Sequence, residues 1–128
     1  MKDNELKKAM EQLKLKDIIV GRYIADVERT IPKILTKDEN INCICLGLAG
    51  EVGEVLDYIK KVRFHGHTLD NKILSEEIGD LFWYVFALMS QYNLKLKQVL
   101  EQNMKKRAKR YPNGFNRMDS ISRIDKNS

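Results

Sequence analysis

The 128-residue sequence is poor in the features that mark several protein classes. Two cysteines, Cys43 and Cys45, are too few for a disulfide framework, and at two residues apart they point to opposite sides of a helix. They read as reduced, core or near-core thiols of a cytoplasmic protein. Two prolines and seven glycines are too few for a collagen-like or low-complexity chain. The longest unbroken apolar run, Leu81 to Met89, is nine residues, half of what a membrane span needs. The start, MKDNELKK, has no apolar h-region, so no secretory signal is expected. No stretch alternates apolar and polar residues long enough to make a strand.

What is present points to one folded, helical domain. Hydrophobic residues are 43% and charged residues 32%, a globular balance. The net charge of +5 is uneven. From Lys105 onward, eight Lys or Arg stand against two Asp, a balance of +6, so the rest of the chain sums to −1. A basic end of this kind suits nucleic acid or the phosphates of a small molecule, or is a solvated helix end with a soluble tail. Helical spacing predicts a polar first segment over about Asp3 to Lys14, and a second helix with Asp17 as its N-cap. Longer helices follow over about Ile41 to Arg63, Asn71 to Tyr92 and Lys95 to Arg110. The breaks are Pro32 with the polar run Thr36 to Asn40, then Phe64 to Thr68 with Gly66 as the stop, then Asn93, then Tyr111 to Phe115. The expected organisation is a single all-α domain over 1–116, with 1–20 as an N-terminal extension helix and 117–128 as a polar, mobile tail.

Two helices carry acids on the wrong face. At about 100° per residue, Glu51 and Glu54 fall in the same arc as Ile44, Leu48, Val55, Tyr58 and Val62. Solvated acids belong on the opposite face, where Asp57 points. On the next long helix Glu77 and Asp80 share an arc with Ile73, Leu81, Tyr84 and Leu88. A short loop makes such helices antiparallel neighbours, so Glu51, Glu54, Glu77 and Asp80 are expected to form a four-carboxylate cluster. Packed carboxylates repel and lose hydration. Protonation, a bound cation, or pairing with Lys or Arg from neighbouring helices would relieve them. Two matched pairs favour a cation, and an all-oxygen set suits a hard one, Mg²⁺ or Mn²⁺. Gly47, Gly50 and Gly53 recur on the first acid helix at about 1 kcal/mol each against Ala, which suggests close approach of a helix or a ligand.

These segments resemble the MazG-like family of the all-α nucleoside triphosphate pyrophosphohydrolases. The family's ExxE then ExxD signature stands here as Glu51-Val-Gly-Glu54 and Glu77-Ile-Gly-Asp80. The flanks GLAGEVGEVLDYIKK and EEIGDLFWYV match, as do Asn103 to Lys106 and the ending Arg110-Tyr-Pro-Asn-Gly-Phe115. The resemblance covers about Tyr23 to Phe115. It implies a four- to five-helix MazG-like bundle completed by dimerisation, as a homodimer or a dimer of dimers, with Mg²⁺ on the four acids. It implies hydrolysis of nucleoside triphosphates between the α and β phosphates, giving monophosphate and pyrophosphate, as in sanitation of the nucleotide pool. Glu51 or Glu54 would take the proton from the attacking water. Lys61, beside Glu54 on the wheel, and Lys106 and Arg110, which share a face with Asn103, would hold phosphates; Lys60, Arg63 and His65 are weaker candidates. Trp83 would stack a base or pack in a core or subunit interface. Phe82, Tyr84 and Phe86 are assigned to the core or the interface. The alternatives are a sister activity on dCTP or phosphoribosyl-ATP, or a non-catalytic helical module whose basic end binds nucleic acid. Of the possible partners, a membrane is not expected and nucleic acid is the lesser expectation.

Overall fold

Residues 2–126 are described by a computed structural model, and every named element among them is helical: α1 (Lys2–Thr30), α2 (Lys37–Phe64), α3 (Asn71–Gln91), α4 (Leu96–Arg110), α5 (Arg117–Ser122) and a final 3₁₀ turn (Ile124–Lys126). The chain divides into two compact units, one up to Gln91 and one from Tyr92 on. None of the described helices is long and apolar enough to cross a membrane.

In the first unit, the expected pair of N-terminal helices is a single α1 of 29 residues. Leu6, Met10, Leu13, Val20, Ile24 and Val27 recur at helical spacing through the expected break, and Asp17 lies inside the helix rather than capping a new one. Residues 2–22 of α1 are exposed, and only the end from Tyr23 packs on the rest of the unit. Ile31 closes the helix by donating its N–H to the Val27 carbonyl at 3.1 Å. The reversal at Pro32 is tied by buried Asn40, whose side chain donates to the Pro32 carbonyl at 3.1 Å.

α2 begins earlier than its apolar pattern indicates because Thr36 and Glu39 form a capping box. The Thr36 hydroxyl accepts from the Glu39 N–H at 3.2 Å, and the Glu39 carboxylate accepts from the Thr36 N–H at 2.8 Å. The core is small. Val27, Ile31, Ile44 and Ala87 are buried, with Tyr23, Trp83, Tyr84, Phe86 and Leu88 packed against them. Tyr23 and Phe86 meet edge to face at 5.1 Å between ring centroids. Cys43 and Cys45 are free thiols on the exposed surface of α2, not in the core as their apolar character suggested.

In the second unit, Asn93 takes a positive φ of 52° and ends the turn before α4, as expected for an Asn break. Over 117–126, where a polar tail was expected, the chain forms α5 and the 3₁₀ turn; residues 127–128 of that tail lie outside the described residues. α5 starts because the Asn116 side chain accepts from the N–H groups of Met118 and Asp119 at 2.8 and 3.2 Å.

Candidate metal centre

The loop between α2 and α3 fixes how the two acid helices face each other. Gly66 takes φ +74°, a left-handed conformation that glycine adopts without steric cost. The Tyr58 hydroxyl then accepts the Asp70 N–H at 2.8 Å and donates to the Asp70 carbonyl at 3.2 Å, pinning the start of α3 to α2. Farther along, the Tyr84 ring lies against Gly47 so closely that a Cβ there would overlap it. Position 58 thus meets 70, and 47 meets 84, which is antiparallel pairing with Glu51 opposite Glu77 and Asp80. Gly47 is small because a neighbouring helix approaches, as the glycine pattern suggested. Gly50 and Gly53 face open space.

The carboxylates of Glu51, Glu77 and Asp80 come together, with one oxygen from each lying within 4.8 Å of the others. Glu51 and Glu77 are half-buried and Asp80 is exposed. Among the described residues none of the three is ion-paired; the paired acids are Asp26, Asp57, Glu101 and Asp125. The Lys or Arg neighbours that a purely structural acid cluster requires are therefore missing here. Burial pushes the Glu51 carboxyl above the usual range, and the charges of Asp80, Glu77 and Glu54 push it further. Three unpaired oxygen donors at this separation fit a hard divalent cation.

Glu54 is exposed and is not one of the three converging acids, although its charge still reaches Glu51. Lys61 is ion-paired with Asp57 at 2.8 Å, and Lys60 with the same acid at 2.7 Å. Hydrogen bonds from Lys60 and Lys61 lower the Asp57 carboxyl to about 2. Lys61 thus has a surface partner that the wheel did not assign to it.

Beside the acids lies an open cavity of about 350 Å³ lined by Glu51, Asp80, Trp83 and Tyr84. Trp83 has a fixed setting there: its indole N–H donates to the Thr30 hydroxyl at 2.7 Å, and its ring meets Tyr84 edge to face at 5.0 Å. Tyr84 and Phe86 are half-buried as assigned, and Phe82 is exposed. The sequence reading missed the part α1 plays. The Tyr23 hydroxyl reaches the Gly79 carbonyl at 3.5 Å, one residue before Asp80. Burial, then the charges of Asp26 and Asp80, raise its pKa. Helical spacing gives no sign of a contact between residues 56 apart in sequence.

The remaining candidates belong to other places. His65 is exposed in the α2–α3 loop and outside the acid group, and Arg63 is also exposed. Asn103, Lys106 and Arg110 belong to the second unit. The Asn103 side chain accepts a hydrogen bond from Arg107, and Asn103 and Lys106 line a surface depression with Val99, Leu100 and Gln102. Arg110 is held by the segment after α4: its Nη2 donates to the carbonyl and the hydroxyl of Ser120, each at 3.4 Å.

The profile of the MazG nucleotide pyrophosphohydrolase domain matches residues 39–115, a span that contains both acid pairs and the Arg110 to Phe115 ending. The chain is also similar to the Gene 37 protein of Mycobacterium phage L5, at 32% identity over 80 residues that cover 59% of this chain and 70% of the phage protein. No solved structure matches it.

Proposed function

This chain belongs to the MazG nucleotide pyrophosphohydrolase domain family, and on that premise we propose that it hydrolyses nucleoside or deoxynucleoside triphosphates to the monophosphate and pyrophosphate, in the cytoplasm, as nucleotide-pool sanitation. The observation that carries the reading is the unpaired carboxylate triad of Glu51, Glu77 and Asp80 beside a cavity walled by Trp83 and Tyr84. Glu51, Glu54, Glu77 and Asp80 are the proposed holders of Mg²⁺, with Mn²⁺ as a substitute. The ion would neutralise triphosphate charge and make a bound water more acidic.

The chain's own residues divide the rest of the task. Glu51, which lines the cavity, is one candidate to accept the proton of the attacking water. Exposed Glu54 is the other candidate. Trp83, fixed by Thr30 and Tyr84, offers a flat face to a base. Lys106 and Arg110, one turn apart on α4, with Asn103 one turn before Lys106, are proposed phosphate ligands; Lys61, paired with Asp57, is a further one. A homodimer or dimer of dimers is proposed because only four apolar residues are buried among those described, while Leu46, Leu56 and Phe82 are 76, 61 and 53% exposed.

The test is a product assay. The full chain is incubated with each ribo- and deoxyribonucleoside triphosphate, including oxidised and deaminated bases, in Mg²⁺. Equimolar monophosphate and pyrophosphate are expected. Orthophosphate in their place overturns cleavage between the α and β phosphates. Absence of turnover, together with salt-sensitive binding to DNA or RNA, overturns the enzyme reading in favour of a nucleic-acid-binding module.

A further inference from the structure

We propose that the C-terminal segment from Ser120 to Asp125 is a clamp that fixes the Arg110 guanidinium for phosphate binding, with Asp125 as its main positioning residue. This rests on the reading of Arg110 as a phosphate ligand and adds residues beyond it. The chain reverses after α4 at Tyr111 to Phe115, where Gly114 takes φ +84°. α5 follows, and Arg123, in the left-handed region at φ 51°, turns the chain so that the 3₁₀ turn packs back on α4.

There the Asp125 carboxylate is shut off from solvent, at 0% side-chain exposure, against Arg110 and Arg123. It accepts two hydrogen bonds from Arg123, from Nε and Nη2, both at 3.2 Å. It also lies 3.9 Å from Nε of Arg110. That Nε is buried without a hydrogen-bond partner among the described residues, and the charge of Asp125 offsets its lost hydration. Nη2 of Arg110 is taken by Ser120, and the guanidinium sits 5.0 Å from the centre of the Tyr111 ring.

One edge of the guanidinium, Nε with Nη2, is therefore held by the clamp. Nη1 keeps its two N–H donors free of any partner among the described residues. An arginine on an open surface must give up rotamer freedom when it grips an anion. Here most of that freedom is already lost in folding, so the open edge binds a phosphate oxygen at a lower entropic cost.

The clamp and simple charge neutralisation predict opposite signs. If Asp125 only cancels the charge of Arg110, its removal frees the guanidinium and anions bind more tightly. If it holds the guanidinium in place, its removal weakens binding. Inorganic pyrophosphate is titrated calorimetrically into the full chain and its Arg110→Ala, Asp125→Asn, Asp125→Glu and Ser120→Ala variants, with steady-state kinetics on the preferred triphosphate. Arg110→Ala is expected to weaken pyrophosphate binding by about tenfold or more. Asp125→Asn is expected to weaken it by about threefold to tenfold, raising KM equally and leaving kcat within about twofold, with partial recovery in Asp125→Glu. Ser120→Ala, which removes only a hydroxyl, shows a smaller loss of the same sign and serves if Asp125→Asn does not fold. Unchanged or tighter binding in Asp125→Asn or Ser120→Ala, with a clear loss in Arg110→Ala, overturns the clamp alone. Unchanged binding in Arg110→Ala overturns the clamp and the phosphate-ligand reading together.

Discussion

Up to Gln91 the chain holds fifteen Asp or Glu against thirteen Lys or Arg, and from Tyr92 on it holds three against ten. The two units treat their acids differently. In the first, Asp26 and Asp57 are paired with nearby cations, but Glu51, Glu77 and Asp80 converge with no Lys or Arg paired to them among the described residues. In the second, Glu101 is paired with Lys97 at 3.2 Å, and Asp125 with Arg110 and Arg123. Repulsion left uncompensated inside a fold costs stability unless a ligand relieves it, whereas paired charge serves shape. The contrast separates a unit that leaves three facing acids unpaired from one in which Glu101 and Asp125 are held by their own cations.

The largest effect expected is at the triad. Asp80→Ala or Glu77→Ala should lower pyrophosphate release by about three orders of magnitude, measured at saturating triphosphate and Mg²⁺. Millimolar Mg²⁺ should raise the melting temperature of the wild type and not that of Asp80→Ala. In chelator the variant should melt at or above the wild type, because a repelling charge is gone. A variant that melts well below wild type in chelator, with no Mg²⁺ shift in either, would erase the distinction between the units.

The next concerns the helix packing that brings the acids together. Gly47→Ala drives a methyl into the Tyr84 ring and should cost about 1–3 kcal/mol by denaturant unfolding. Gly50→Ala and Gly53→Ala enter open space and should each stabilise by about 0.5–1 kcal/mol. Destabilisation at Gly50 instead would show another helix approaching that face.

A smaller effect belongs to the second unit. Asn116→Ala removes the two side-chain caps of α5 and should cost about 1 kcal/mol of local stability. Amide exchange should report it after Asn116, with the first unit unchanged. Loss of protection on α2 or α3 would break the division.

The smallest is the pH dependence, where two acids of the first unit have opposite signs. A carboxyl whose folded pKa is raised costs stability when ionised. The metal-free protein should therefore gain stability at Glu51 as pH falls through that raised value, with the gain complete below about 4.3, the unfolded value. Asp57, lowered to about 2 by Lys60 and Lys61, works the other way. Its contribution is full above about 3.9 and is lost as pH falls towards the folded value. Melts in chelator should show Glu51→Gln removing the first trend and Asp57→Asn the second. The Asp57 effect is slight because the pair is exposed.

α3 and α4 fall within a residue of their sequence positions because Gly66, Asn93 and Pro112 punctuate strong helical patterns. The continuity of α1 and the start of α2 were less legible. A polar helix with an in-phase apolar stripe looks discontinuous when its exposed half is judged by composition, and Thr36 with Glu39 is a cap inside what reads as a polar loop. In the site, the wheel placed all four acids on the packing faces, but it gives angle and not height along the helix. Glu54 shares the arc and still lies apart from the three that converge. The Lys61–Asp57 pair, four residues apart, was available to the i, i+4 rule.

By itself, the sequence determined the helical class, the antiparallel acid helices, the acid residues from which the candidate metal centre is drawn and the basic end. All of these follow from local periodicity, short loops and residue chemistry, which act over a few residues at a time. Only the tertiary structure decided which three acids meet, that Thr30 fixes Trp83 from 53 residues away, that Tyr23 reaches the Gly79 carbonyl, and that Asp125 lies against Arg110. Those contacts depend on the axial register of one helix against another. Register is set by such features as Tyr84 against bare Gly47 and Tyr58 on Asp70, and helical periodicity carries no information about it.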